Sequence, residues 1–322
     1  MSADNDGLQS LAHSLDRIIS EGRNPDTMDI DTLTTTGILS RINREDEKVA
    51  SAVGEQIDAI AMVVDAATAS LSCGGRLIYV GAGTSGRLGI LDAVECRPTF
   101  SVPDSMVVGV IAGGEKAIMH AVEGAEDNHA MGQEDLKRIT LHANDTVVGI
   151  SASGRTPYVS GALEYAKSIG CVTAAIACSP NAEIFGPADI SVCPIVGPEA
   201  LTGSTRMKAG TAQKMVLNMI STATMVKLGK TYENLMVDVN ATNEKLKARA
   251  LRIVMQATDC DETTALDALA ASKNNAKCAI LMVLTGITAA QAVTSLQTHQ
   301  GYLRSAIAAS PAPKTCPTSS DS

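Results

Sequence analysis

The sequence predicts an α/β protein: a doubly wound parallel sheet flanked by helices, followed by a small C-terminal all-helical region. Three observations predict it. Five short, nearly continuous apolar runs alternate with helical patterns between residues 76 and 196, and strands of that kind need cover on both faces. Two of these runs end in loops rich in glycine and hydroxyl groups that lead straight into a helix. Beyond Asn240 the strand pattern disappears and only helical periodicity is left.

Taken in order, residues 30–72 read as helix. Charges cluster at 43–48, an Ala/Ile/Val/Leu periodicity runs over 53–71, and Gly74-Gly75 stops it. The strands are 76–80 (RLIYV), 106–112 (MVVGVIA), 146–150 (TVVGI), 172–177 (VTAAIA) and 190–196 (ISVCPIV). Helical patterns over 86–95, 116–122, 133–139 and 158–168 separate them, and a long helix over about 204–228 closes the section. Residues 241–309 read as four short helices, with N-cap candidates at Asp261 and Thr288 and a break at Gly286. The final stretch, SPAPKTCPTSSDS, has three prolines and no periodicity, so a disordered tail is expected. The expected division is a helical segment over 1–66, the sheet domain over 67–230, the helical region over 231–309 and the tail over 310–322.

Composition excludes several function classes. The 322 residues include 26 Lys+Arg against 35 Asp+Glu, a formal charge of −9, and aromatics are only 2% with no Trp. A basic patch for duplexes and an aromatic platform for single strands are both unavailable, so no nucleic acid partner is expected. Eight cysteines and five histidines show no C-x-x-C, H-E-x-x-H or H-x-H spacing, so no metal site is expected. No basic n-region with an apolar h-region opens the chain, and no apolar stretch approaches the roughly 20 residues that span a bilayer. The expectation is a reduced, soluble, cytoplasmic protein with no membrane partner.

The two loops are Gly81-Ala82-Gly83-Thr84-Ser85-Gly86 and Ser151-Ala152-Ser153-Gly154-Arg155-Thr156. Each follows a strand and enters a helix, where free backbone N–H groups and the helix dipole favour an anion. Ser and Thr hydroxyls add donors without charge, which lets an acidic chain hold a phosphate. The first loop has the G-x-G-x-x-G form, but no acidic residue stands at a second strand end to hold a ribose, and no Walker G-K-[ST] follows either loop. Helix capping alone accounts for one such loop about as well as ligand binding does; two at equivalent strand ends favour a ligand.

The paired loops resemble the sugar isomerase (SIS) fold, whose members bind phosphosugars. Over a longer span, the segments EGRNPDTMDIDTL (21–33), GRLIYVGAGTSGRLGILDAVEC (75–96), IAGGEKAIMHAVEGAED (111–127), SASGRTPYV (151–159), IVGPEALTGSTRMKAGTAQKMVLNM (195–219) and NLMVDVNATNEKL (234–246) resemble the N-acetylmuramic acid 6-phosphate etherase family. The similarity extends over about 18–308. It implies cleavage of the D-lactyl ether by elimination and rehydration, with the substrate's own carbonyl as electron sink and no cofactor. It also implies a homodimer, with the N-terminal helices and the 204–228 helix as candidate interface.

By resemblance the two catalytic carboxyls are Glu95, in LDAVEC, and Glu126, in VEGAED. From the residues alone Glu95 reads as a solvated helix-end carboxylate and Glu126 as half of an exposed Glu-Asp pair. The wider SIS pattern puts Thr84, Ser85, Ser151, Ser153 and Thr156 around the phosphate, with Arg87, Arg155 and Lys208 as secondary contacts, each equally able to pair with a helix carboxylate. Glu199 lies in the GPE segment and has no assigned role. Val94, Arg97 and Ser101 depart from the residues the family more often carries beside Glu95. Two other functions fit the same fold: a phosphosugar isomerase, and a non-catalytic phosphosugar sensor similar to glucokinase regulatory protein.

Overall fold

In the computed structural model, which describes residues 18–238 and 244–310, the five apolar runs form one parallel sheet. Its strands are β1 (Leu77–Gly81), β2 (Val107–Ile111), β3 (Thr146–Ile150), β4 (Val172–Ile176) and β5 (Ile190–Val192), in the order β2-β1-β3-β4-β5. β1 is central: Leu77 to Gly81 pair with Val107 to Ile111 on one side and with Thr146 to Ile150 on the other. Every residue of β1 and β3 is buried, as strands covered on both faces require. From β1 the chain builds one way to β2 and then back past β1 to β3. That reversal opens a crevice at the carboxyl ends of β1 and β3, where ligands bind in sheets of this class.

The helices around the sheet are α1 (Thr35–Gly54), α2 (Ile57–Ser72), α3 (Gly83–Phe100), α4 (Lys116–Met119), α5 (His129–Arg138), α6 (Pro157–Ile169) and α7 (Lys208–Lys227). α2 and α6 both pack on β1 and β3, with α2 reaching β5 and α6 reaching β4. The core beneath α6 is built from Ile78, Val80, Val147, Tyr158, Val159 and Leu163. Two expectations are corrected here. The single helix over 30–72 is two: α1 ends at Gly54, a poor helix former, and Gln56 leaves helical geometry (φ −106°, ψ 8°). Its side chain there accepts the Cys193 N–H at 2.9 Å. The helix expected over 86–95 is α3, which starts at Gly83 and runs on through Pro98 to Phe100.

The chain separates into two compact units. The first ends at Val94 and resumes over Asp104–Thr222; the second holds Glu95–Pro103 and begins again at Ala223. The second unit contains a short hairpin, β6 (Thr231–Tyr232) with β7 (Leu235–Met236), and five described helices: α8 (Glu244–Thr258), α9 (Glu262–Ala271), α10 (Ala276–Thr285), α11 (Ala289–Thr298) and α12 (Leu303–Ala309). Four were expected. Between α9 and α10 the Asn275 side chain caps α10 by accepting the Cys278 N–H at 2.8 Å. Asp261 and Thr288 are N-caps as the sequence predicts, Thr288 in a full capping box with Gln291. Val254, Leu269, Ile280, Leu281 and Leu303 form this unit's core. Residues 1–17 of the expected helical segment and the tail after 310 lie outside the described residues. No single helix among the described residues is long and apolar enough to cross a membrane.

Candidate active site

β1 and β3 are paired with Gly81 opposite Ile150, so the two hydroxyl loops leave adjacent strands at the same edge. The first loop is extremely tight. A Cβ on Gly86 would lie 2.6 Å from Ile111 Cγ1 and 2.7 Å from the Gly81 carbonyl oxygen, so only glycine lets α3 start this close to β1 and β2. Ser85 is buried and donates its hydroxyl proton to Gln213 Oε1 at 2.9 Å; Thr84 is half-buried beside it.

The second loop braces itself. The Ser151 N–H continues the sheet by donating to the Ile176 carbonyl at 3.0 Å. Ser151 Oγ accepts the Gly154 N–H at 3.0 Å and lies 2.7 Å from Thr156 Oγ1. Ser153 Oγ accepts the Arg155 N–H at 3.3 Å. Gly154 has φ +76°, and a Cβ there would lie 2.1 Å from Ala182 Cβ, so no other residue fits. Thr156 is the N-cap residue of α6, yet its side chain makes no capping hydrogen bond and turns to Ser151 instead. Capping therefore does not explain this hydroxyl.

A cavity of about 200 Å³ opens beside the first loop, lined by Gly83, Arg87, Ala112, Ala117, Val122 and Glu126 among others. Glu126 sits on a short 3-10 turn, Ala125–Asp127, that follows the left-handed Gly124. The Arg87 Nε–H donates to the Ile118 carbonyl at 2.9 Å, which ties α3 to the end of α4. The structure thus brings Glu126 and Arg87 to the first hydroxyl loop. Glu95 is exposed on α3, in the stretch grouped with the second unit, and is not one of the residues lining this cavity. Its carbonyl accepts the Thr99 hydroxyl at 2.8 Å.

Two of the expected secondary cations are engaged elsewhere. Arg155 Nε pairs with Glu183 Oε1 at 2.9 Å. Lys208 is 1% exposed and its Nζ lies 2.6 Å from Oε2 of the equally buried Glu45. Lys48 Nζ and Asn24 Nδ2 complete the Glu45 shell at 2.6 and 2.8 Å. Burial pushes the Glu45 carboxyl up, but the hydrogen bonds from Lys208, Lys48 and Asn24 outweigh it and bring the pKa down to about 2. Glu199 acquires a role that sequence reasoning missed. It is fully buried and accepts the Lys208 and Ala209 backbone N–H groups, each at 2.9 Å, so its carboxylate caps α7. Its separation from the helix start exceeds that of a capping box, so local pattern carries no sign of it.

Sequence reasoning also missed Gln213 and Asp92, both facing the α3–α7 seam. Asp92 is buried and accepts the Ser221 hydroxyl at 3.1 Å. Burial raises its pKa from 3.8 to about 6, against the opposing pull of Tyr79, Ser221 and Lys214. A raised carboxyl pKa means stability is fully present below pH 3.8 and is lost as pH rises through about 6. Asp92→Asn is therefore expected to stabilise the protein at pH 8, by up to about 3 kcal/mol, and to confer no gain at pH 3. Denaturant unfolding at the two pH values measures this; an equal effect at both would contradict it.

The chain is 61% identical over 298 residues to N-acetylmuramic acid 6-phosphate etherase of Pseudoalteromonas atlantica, covering 92% of this chain and 97% of that one. It is 58% identical over 294 residues to the protein of that name from Cronobacter sakazakii, covering 91% and 99%. A family model described as glucokinase regulatory protein N-terminal SIS domain matches residues 58–167. Among solved structures, a phosphoheptose isomerase from Francisella tularensis aligns with a TM-score of 0.48 at 17% identity, over 60% of this chain and 100% of that one.

Proposed function

The chain belongs to the N-acetylmuramic acid 6-phosphate etherase family, and from that membership we infer that it cleaves the D-lactyl ether of N-acetylmuramic acid 6-phosphate. The products are N-acetylglucosamine 6-phosphate and D-lactate. The observation that carries this reading is 61% identity over 92% of the chain and 97% of an etherase. The match to the regulatory-protein domain reaches only residues 58–167, against 298 residues for the etherase, so neither the sensor reading nor the isomerase reading is favoured.

The proposal gives each step to the residues that the resemblance implies. The Thr84, Ser85, Ser151, Ser153 and Thr156 hydroxyls, with the N-termini of α3 and α6, hold the C6 phosphate at the β1/β3 crevice. With the sugar ring open, the C1 aldehyde acidifies the C2 proton. A base removes that proton, the C3–O bond breaks, and the departing lactate oxygen takes a proton from an acid. Water then adds its oxygen at C3 and a proton returns to C2, so one water is consumed overall. Glu126 and Glu95 are the two carboxyls for these transfers, with Glu95 protonating the leaving lactate. That Glu126 opens onto the cavity beside the first loop supports its part. In the same proposal the protein works in the reducing cytoplasm in amino-sugar catabolism and cell-wall recycling, consistent with free thiols at all seven described cysteines. It does so as a homodimer, for which exposed Leu39 and Met62 on α1 and α2 offer apolar surface.

Reaction in ¹⁸O-labelled water tests the reading. D-lactate release in step with one labelled oxygen at C3 of N-acetylglucosamine 6-phosphate is expected. Aldose–ketose interconversion of phosphosugars without lactate would overturn it.

A further inference from the structure

Ser85 poses a proton-counting problem for phosphate binding. A serine hydroxyl has one proton to donate, and here it is given to Gln213 Oε1 at 2.9 Å. In that state Ser85 offers an oxyanion only lone pairs. The other end of the same amide, Gln213 Nε2, is buried without a hydrogen-bond partner, in a residue that is 0% exposed. Turning the amide by half a rotation resolves the conflict: Nε2 then donates to Ser85 Oγ, and the hydroxyl proton is free to point at the anion. The frame around Gln213 favours turning the amide over moving the helix. Glu199 caps the first turn of α7 through two backbone N–H groups. Lys208 is pinned to Glu45, and a Cβ on Gly210 would touch Thr84 Cγ2 at 3.5 Å, so the same turn lies against the first hydroxyl loop.

We propose that Gln213 is a positioning residue for phosphosugar binding, whose side-chain amide reverses to hand the Ser85 proton to the substrate phosphate. This rests on the reading of Ser85 as a phosphate ligand. Gln213 itself does not touch the substrate; it acts through Ser85, and the bound and free states differ in which end of its amide faces that hydroxyl.

A double-mutant cycle on binding of N-acetylglucosamine 6-phosphate, followed by calorimetry, tests it. Ser85→Ala is expected to weaken binding about 10-fold, as losing one hydrogen bond to a charged group does, and Gln213→Met, which leaves the Ser85 hydroxyl unoriented without taking its proton, about 3-fold. The double variant is expected to bind no more weakly than Ser85→Ala alone. Gln213→Glu, close in shape but able only to accept when ionised, is expected to weaken binding at least as much as Gln213→Met, because it locks the Ser85 proton inward. A purely structural role predicts instead that Gln213→Met costs the same with or without Ser85, and that result overturns the proposal, as does wild-type affinity in both Gln213 variants. If the Met variant fails to fold, Gln213→Glu decides through its own cycle with Ser85→Ala: a loss that vanishes without the Ser85 hydroxyl upholds the proposal, and a loss of equal size with or without it, as simple charge repulsion gives, overturns it. Should Ser85→Ala bind as wild type does, the assignment of Ser85 fails, a result distinct from failure of the Gln213 role.

Discussion

Glu95→Gln is expected to bind N-acetylglucosamine 6-phosphate within a few-fold of wild type while releasing D-lactate about 10²- to 10⁴-fold more slowly, the range a positioned general acid or base supplies. Glutamine keeps the length and planar end of the side chain but neither gives nor takes a proton at neutral pH, so the substitution isolates the proton transfer from shape. Glu95 stands nine residues after Gly86 on α3, about two and a half turns from the loop assigned to the phosphate. It is exposed, so the exchange breaks no buried partnership and the fold is expected to persist. Lactate release is read with a coupled dehydrogenase and binding by calorimetry. Lactate release near the wild-type rate would remove Glu95 from the mechanism, and Glu126 would then need a different partner.

Lys208→Met should be the most destabilising of the substitutions considered, by about 3–5 kcal/mol at neutral pH. The cost comes from what stays behind: Glu45 remains buried and ionised with its closest cation removed and only Lys48 and Asn24 to answer it. Replacing both partners, Glu45→Met with Lys208→Met, is expected to recover a large part of the loss, because the desolvation of two charges disappears with their attraction. Acid provides a second reading of the same network. A carboxyl held at about 2 against an ordinary 4.5 contributes stability that is complete above pH 4.5. That stability is lost as pH falls toward 2, and amounts to about 3 kcal/mol. Urea unfolding between pH 2 and 7 should therefore be steeper in pH for wild type than for the double variant. Equal stability of the single and double variants would show that the buried pair is not what holds α7.

Much of this was legible locally. RLIYV and TVVGI read as strands buried on both faces, and every residue of β1 and β3 is buried. Asp261 and Thr288 read as helix caps because a cap acts within three residues of itself. The 54–56 break has one local sign, Gly54, and one remote contribution, Gln56 accepting the Cys193 N–H 137 residues down the chain, which no local pattern carries. The hydroxyl loops stood out because strand–loop–helix junctions put the needed donors next to one another in sequence. Glu126 beside the first loop's cavity could not be found in that way, since the connection after β2 has to fold back to bring it there.

Local pattern, spacing and residue chemistry sufficed for the parallel sheet and for the two hydroxyl-rich loops at its edge, because each depends on groups a few residues apart, while the family came from the resemblance of long ordered segments. Which charged groups remain available to a ligand is another matter. Lys208 went to Glu45 across 163 residues, Ser85 to Gln213 across 128 and Asp92 to Ser221 across 129. A buried charge or hydroxyl must take whatever partner packing brings within about 3 Å, and only the tertiary structure decides which one that is.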